Sequence, residues 1–276
     1  MWLRLITVCV LVSLTKMAWA QPQRVVSINV CTDQLAMMLA APGQLISVSY
    51  FARDSRVSAM TTEAMRHGVN HGLAEEIYLQ RPDLVIANRF SAQATVDMLR
   101  RLSVPVVVFE SARSLEDIRT NILKMGEVLG RQDAADKLLQ DYEAGLAALT
   151  ANGAHGPRAA IYSTHGWTSG DQTLSGQILT AAGLQNIAAE MGMTAGGVLP
   201  LEQLALSNPD IVITAQPYPG HSRAEEYLQH PVVKQLQARS GQVLVSDRDW
   251  VCGTPYVVRA IDNLRRARED WQRGIE

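Results

Sequence analysis

The chain has no surplus of basic residues. Lys and Arg number 25 against 27 Asp and Glu, a formal net charge of −2. A balance of this kind cannot neutralise a run of phosphates, so nucleic acid is excluded as an expected partner. Aromatic residues make up only 5%, so a site that stacks on rings must draw on a small stock. The motifs of common catalytic centres are missing as well. There is no G-x-S-x-G, no glycine-rich phosphate loop and no H-E-x-x-H, which removes the nucleophile elbow, the P-loop and zinc-protease chemistry. His165-Gly166-Trp167-Thr168-Ser169-Gly170 contains a serine near glycines but not at elbow spacing. The six histidines, His67, His71, His155, His165, His221 and His230, follow no ligand spacing. Gly68, Asn70 and Gly72 make the neighbourhood of the first two read as a loop, so they are expected to be solvated rather than metal-bound. The expectation is a protein without catalytic residues, resident metal or cofactor.

Long apolar runs are also absent, with one short exception at the start. Arg4 precedes the apolar stretch Leu5 to Leu14, which is followed by Lys16 and Ala18-Trp19-Ala20. A basic start, about ten apolar residues and an A-x-A triplet form a secretory signal, with cleavage expected after Ala20. The run falls short of the roughly 20 residues needed to span a bilayer. Cys9 lacks the preceding small residue of a lipoprotein site. The expectation is an exported protein with a soluble mature chain. Of three cysteines, Cys31 and Cys252 then remain. An oxidising compartment favours a disulfide between them, while two unrelated thiols is the plainer alternative.

What the chain does have is alternation. Its 276 residues, 47% hydrophobic and 19% charged, suit one large domain or two ordinary ones. Short β-branched runs at Arg24–Ile28, Leu45–Ser49, Leu84–Ala87 and Val106–Phe109 read as strands of a buried parallel sheet, with a helix opening at Thr32 and helical patterns at Leu73–Gln80 and Ser91–Leu102 between them. A second set repeats the scheme: strands at Ala159–Ser163, Ile211–Thr214 and Val243–Ser246, helices at Ser175–Ala182, Leu201–Ser207 and Pro255–Trp271. Between the sets the pattern is helical only. Ser114 and Asp117 form a capping box for a helix ending at Gly130, and Asp133 opens another. The fold class predicted is α/β, with two Rossmann-like lobes joined by a single long rigid helix: residues 21–132, a linking helix at 133–151, and residues 152–276.

An internal repeat supports two lobes. Residues 75–86 read E-E-I-Y-L-Q-R-P-D-L-V-I and residues 202–213 read E-Q-L-A-L-S-N-P-D-I-V-I. Each is a short helix stopped before proline, a turn and a buried strand. In open α/β sheets, ligands bind outside the carboxyl ends of the strands. The loops there hold Cys31, Tyr50, Phe51, Arg53, Asn88, Arg89, Phe90, Trp167, Thr168, Tyr218, Trp250 and Cys252. Tyr, Trp, Arg and Asn together suit a large ligand with apolar faces and polar edges.

These residues carry a resemblance. The start R-V-V-S-I-N-V-C-T-D-Q-L-A, both E…P-D-x-V-I copies, the stretch W-T-S-G-D-Q-T-L-S-G-Q-I-L-T-A-A-G-L-Q-N-I and the tail D-W-V-C-G-T-P-Y-V-V-R-A-I resemble the periplasmic substrate-binding proteins of ABC importers for iron complexes and cobalamin. The resemblance covers essentially the whole mature length. It implies a non-enzymatic, monomeric receptor that binds a metal chelate in a cleft between its lobes and delivers it to an inner-membrane permease and ATPase. It implies two surface acids that dock onto permease arginines, and Glu75 and Glu202 occupy those positions. The chain departs from cobalamin binders at Asn88, where these often carry tryptophan. Cobalamin-type corrinoid, ferric siderophore and haem stay open as ligands, and Arg53, Arg89 and Arg248 suit anionic edges on any of them. A bare cation and an exported enzyme on the same lobes are the competing readings. Cys31 and Cys252 fall in ligand-facing loops of opposite lobes. Cross-lobe disulfide, thiols touching ligand and incidental thiols all remain open.

Overall fold

In chain order the elements of the computed structural model are strand β1 (Val25–Ser27), helix α1 (Val30–Leu39), β2 (Leu45–Ser49), α2 (Thr61–Ala64), β3 (Gly68–Asn70), α3 (Ala74–Leu79), β4 (Leu84–Asn88), α4 (Gln93–Arg101), β5 (Val106–Phe109), α5 (Leu115–Leu129) and α6 (Gln132–Leu149). There follow β6 (Arg158–Ile161), β7 (Trp167–Thr168), α7 (Leu174–Ala181), β8 (Gln185–Asn186), α8 (Ile187–Glu190), β9 (Gly197–Val198), α9 (Leu201–Ser207), β10 (Ile211–Ala215), α10 (Pro231–Arg239), β11 (Gly241–Val245), α11 (Asp247–Trp250) and α12 (Val257–Arg273). The structure describes residues 21–149, 156–216 and 224–274. The signal segment, the end of the expected linking helix, and Tyr218 lie outside the described residues.

Two parallel sheets form the frame. The first has the order β3-β2-β1-β4-β5 and the second β11-β10-β6-β8, while β7 and β9 pair as a small antiparallel ribbon. Central strands are mostly apolar because helices cover both faces. Val25 and Val26 are fully buried, and every residue of β4 is buried. The expected α/β architecture is thus present in both halves. Helix α6 stands between the two sheets in chain order.

The inner faces of the two sheets share one apolar core. It runs from Val25, Leu35 and Leu84 through Ile118, Leu129 and Tyr142 to Ile178, Ile213 and Ile261. Each sheet's other face has its own smaller cluster, around Val26, Ile77 and Leu99 in the first half and Tyr162, Leu204 and Val233 in the second. Helices α5 and α6 cross closely, since a Cβ at Gly126 would fall 2.3 Å from that of Ala135. Ser114 and Asp117 complete the expected capping box, and Gly130 ends α5 in the left-handed region at φ 65°.

Two local expectations change. Helix α1 opens at Val30, capped by Asn29, whose side chain accepts the Cys31 amide. Thr32 lies inside the helix and its hydroxyl turns back to donate to the Asn29 carbonyl. Gly68–Asn70 is an edge strand, not a loop. The fully buried Asn70 amide donates to the Ser27 carbonyl and the Ser47 hydroxyl, each at 2.9 Å. Those two bonds hold a three-residue strand that has too little apolar patterning of its own.

Candidate functional site

In the first sheet the strand order reverses between β1 and β4, which makes the carboxyl ends of those strands the natural crevice. A cavity of about 360 Å³ lies there. Its walls are Ile28, Asn29 and Val30 after β1, Phe51 and Val57 after β2, His71 and Gly72 after β3, and Phe90, Ser91 and Ala92 after β4. Val251 and Cys252 close it from the second half. The lining is mostly apolar with a few polar groups at its edge, and its size falls within the roughly 300–1,000 Å³ of small-molecule sites. A larger hollow of about 420 Å³ lies in the second half alone, lined by polar side chains such as Ser163, Thr214, Gln216, Lys234 and Gln237. The smaller cavity is the better candidate because both halves build it and exposed aromatic rings border it.

The rings stand where a ligand would meet them. Phe90 is 79% exposed and Phe51 43%. Tyr50 lies beside Phe51, with ring centroids 4.0 Å apart, and stacks on His71 at 5.6 Å. His71 is fixed by Glu76, which accepts its backbone amide at 2.7 Å and lies 3.2 Å from Nδ1. Phe90 is positioned by Asn88, buried at the end of β4, whose Oδ1 accepts the Phe90 amide and the Ser111 hydroxyl. Asn88 also borders a small hollow of about 40 Å³ beside Cys31 and Cys252.

Cys31 and Cys252 are joined as a disulfide, with Cα atoms 4.9 Å apart. It ties the first turn of α1 to the segment after α11 at the base of the cavity. Next to it, a Cβ at Gly253 would fall 2.2 Å from that of Ala112, so only glycine permits this approach of the halves. Nearby, the Gln177 side chain accepts the Leu115 amide at 2.9 Å, a second link between them.

Other expected site residues do not reach the cavity. Trp250 is buried in the shared core, with its indole N–H 3.4 Å from Asp247. Its loop position made it look free, but α11 turns the ring inward. Arg53 is committed to the edge of the sheet, donating to the His67 carbonyl at 2.8 Å. Arg89 faces Glu110 at 3.5 Å, and Arg248 lies 3.8 Å from Asp249. Thr168 is fully buried in β7, while the neighbouring Trp167 is 48% exposed on the ribbon. Glu75 and Glu202 are exposed in the first turns of α3 and α9. Sequence reasoning missed Val57, His71 and Val251 as wall residues, because β3 was not legible and the approach of the second half is a tertiary event.

Asp33 stands in α1, two residues after Cys31. It is fully buried and its pKa is pushed up to about 6, chiefly by burial, against hydrogen bonds from Ser27 and Ser49. Among the described residues no group of three or more His, Cys, Asp or Glu is placed to hold a metal ion.

The family model for the periplasmic binding proteins matches residues 25–249. The chain belongs to that family. Among relatives within reach of sequence comparison, a cobalamin-binding protein of Halobacterium salinarum is 27% identical over 200 residues, 71% of this chain. A vitamin B12-binding protein of Pectobacterium carotovorum is 28% identical over 182 residues, 63% of this chain. The chain spans 54% of the length of the first and 64% of the second. A periplasmic heme binding protein of Pseudomonas aeruginosa has the same fold, with a TM-score of 0.70 at 20% identity, covering 90% of this chain and 92% of that one. The periplasmic vitamin B12 binding protein of Vibrio cholerae aligns at a TM-score of 0.64 and 16% identity, over 91% and 98%. These likenesses establish the two-lobed architecture of the family for this chain. Among the described residues no helix is long and apolar enough to cross a membrane.

Proposed function

We propose that this protein is a periplasmic receptor that captures a metal chelate, either a cobalamin-type corrinoid, haem or a ferric siderophore, and hands it unchanged to an ABC importer. The observation that carries this reading is the cavity at the switch point of the first sheet, walled by exposed rings and closed by Val251 and Cys252 from the other half. The relatives named for cobalamin and heme support the chelate class. A broad ligand with an apolar face rests against Phe51 and Phe90, and its polar rim reaches Asn29, Ser91 and solvent. His71, held by Glu76, offers a ring nitrogen at the wall to a metal that has an open axial position.

Helix α6 is the rigid joint between the lobes, and the Cys31–Cys252 bond is a second tie, so capture involves a modest rearrangement rather than a wide hinge. Glu75 and Glu202 face the permease, one from each lobe. An N-terminal signal removed after Ala20 delivers the chain to the periplasm as a monomer. The test is recovery: the purified chain is incubated in turn with cyanocobalamin, haemin and ferrichrome, and the protein fraction is denatured and chromatographed. One of the three travels with the protein and is recovered chemically intact. A chemically altered product, or none retained, overturns the reading.

A further inference from the structure

The repeat at residues 75–86 and 202–213 is for the most part explained by the fold. Ile77 and Leu204 fall on the same repeat position and are both fully buried under their sheets. Arg81 and Asn208 fall on the same position, and both adopt positive φ, 50° and 48°, reversing the chain before Pro82 and Pro209. Asp83 accepts the backbone amides of Gln23 and Arg24, and Asp210 accepts that of Arg158. The same two arginines close the clip. Arg24 donates to the Gln80 and Arg81 carbonyls, and Arg158 to that of Ser207, all at the end of the repeat helix. Each half thus uses one arginine and one aspartate to pin helix end to strand start. Core packing, chain reversal and clip account for these positions internally.

Two repeated positions have no such account. Glu75 and Glu202 make no ion pair among the described residues. Leu79 and Leu206, four residues further on, are 79% and 85% exposed. Spacing of four puts each leucine on the same helix face as its acid, one turn along. A single exposed leucine needs no explanation. Two at one register, each beside an acid that makes no ion pair among the described residues, call for a reason outside the chain.

We propose that Leu79 and Leu206 are the apolar halves of two equivalent docking knobs, Glu75–Leu79 and Glu202–Leu206, and that the importer's permease receives both. One chain that shows the same knob twice fits a partner that offers the same socket twice, as two identical subunits do. Each socket is an apolar recess for leucine beside a basic side chain for glutamate. The acids steer and orient the encounter, and the leucines supply the burial that slows dissociation. This inference rests on the import reading above and adds to it the residues that hold the complex together.

The test uses the full mature chain and the permease–ATPase complex in lipid nanodiscs, with binding followed by interferometry at low and high salt. Leu79→Gln with Leu206→Gln weakens binding by at least about tenfold, through faster dissociation, and leaves the salt dependence as it was. Glu75→Gln with Glu202→Gln weakens binding at low salt and flattens the salt dependence. All four positions are exposed, so thermal melting stays at the wild-type value in both variants and excludes misfolding as the cause. Wild-type binding that survives the leucine exchange within twofold overturns the knobs and leaves the import reading standing. A wild-type chain that never binds the importer overturns the import reading itself.

Discussion

Cys31 and Cys252 are bonded across the two halves of the molecule, 221 residues apart in sequence. The bond sits where α1 of the first half meets the segment after α11 of the second, and Gly253 beside it allows contact with Ala112. The two halves are therefore covalently joined beside the cavity, which Cys252 lines. Alkylation of the native protein without reductant adds nothing at these two positions, and reduction under denaturing conditions exposes both, read by mass spectrometry. Replacing both by serine costs about 2–5 kcal/mol in urea unfolding, the usual range for a native disulfide. Two adducts on the native chain would contradict the assignment.

Gly253→Ala puts a methyl group into the space of the Ala112 side chain. Overpacking of this kind costs about 1–3 kcal/mol. Because the strain lies beside Cys252, the variant also forms the disulfide more slowly on refolding from the reduced state. A variant as stable as the parent would show that the halves do not approach here.

The buried Asp33 makes stability fall as pH rises through a defined window. Its carboxyl titrates at 3.8 in the reference state and at about 6 in the fold, because burial outweighs the hydrogen bonds from Ser27 and Ser49. Below both values each state holds the proton and the shift has no effect. Between them the folded state binds more protons than the unfolded one, so unfolding becomes easier with rising pH. Above about 6 the fold bears the full cost, of the order of 3 kcal/mol for a shift of this size. Asp33→Asn retains an acceptor for Ser49 and removes the titration. Urea unfolding of this variant between about pH 4 and 7 loses the downward slope that Asp33 gives the wild type.

Phe90 and His71 line the cavity while remaining largely exposed, at 79% for the Phe90 residue and 62% for the His71 side chain. Phe90→Ala and His71→Ala each weaken chelate binding by about tenfold, the effect of losing one ring contact or one donor bond. Thermal stability is unchanged in both. A drop in melting temperature without a loss of affinity would place these side chains in the fold rather than in the site.

Local signals made much of the frame legible. β2 and β5 begin and end where their apolar runs do, and α5 is bounded by its own capping box and its glycine. The site was harder to read because its parts meet through space. β3 pairs with β2 and is anchored by Asn70 reaching Ser27 and Ser47, contacts that no spacing along the chain displays, and without β3 the position of His71 could not be read. Trp250 was drawn to the cleft by its place in a loop, yet it fills the shared core. Cys31 and Cys252 were expected in facing loops, but Cys31 stands in the first turn of α1, and that the two meet is decided by packing between the halves, as at Gly253 and Ala112.

The central claim is that a chelate occupies the cavity between β1, β4 and the Cys31–Cys252 bond. Ala92 lines it and is exposed at the cap of α4, so Ala92→Trp fills the space without burdening the core. Cyanocobalamin, haemin and ferrichrome are titrated into wild type and Ala92→Trp and followed by absorbance and intrinsic fluorescence. The wild type binds one of them at a one-to-one ratio with Kd of about 1 μM or below, and Ala92→Trp loses that binding at least about tenfold while melting as the wild type does. Binding of none of the three by the wild type, or equal binding by both proteins, would contradict the account.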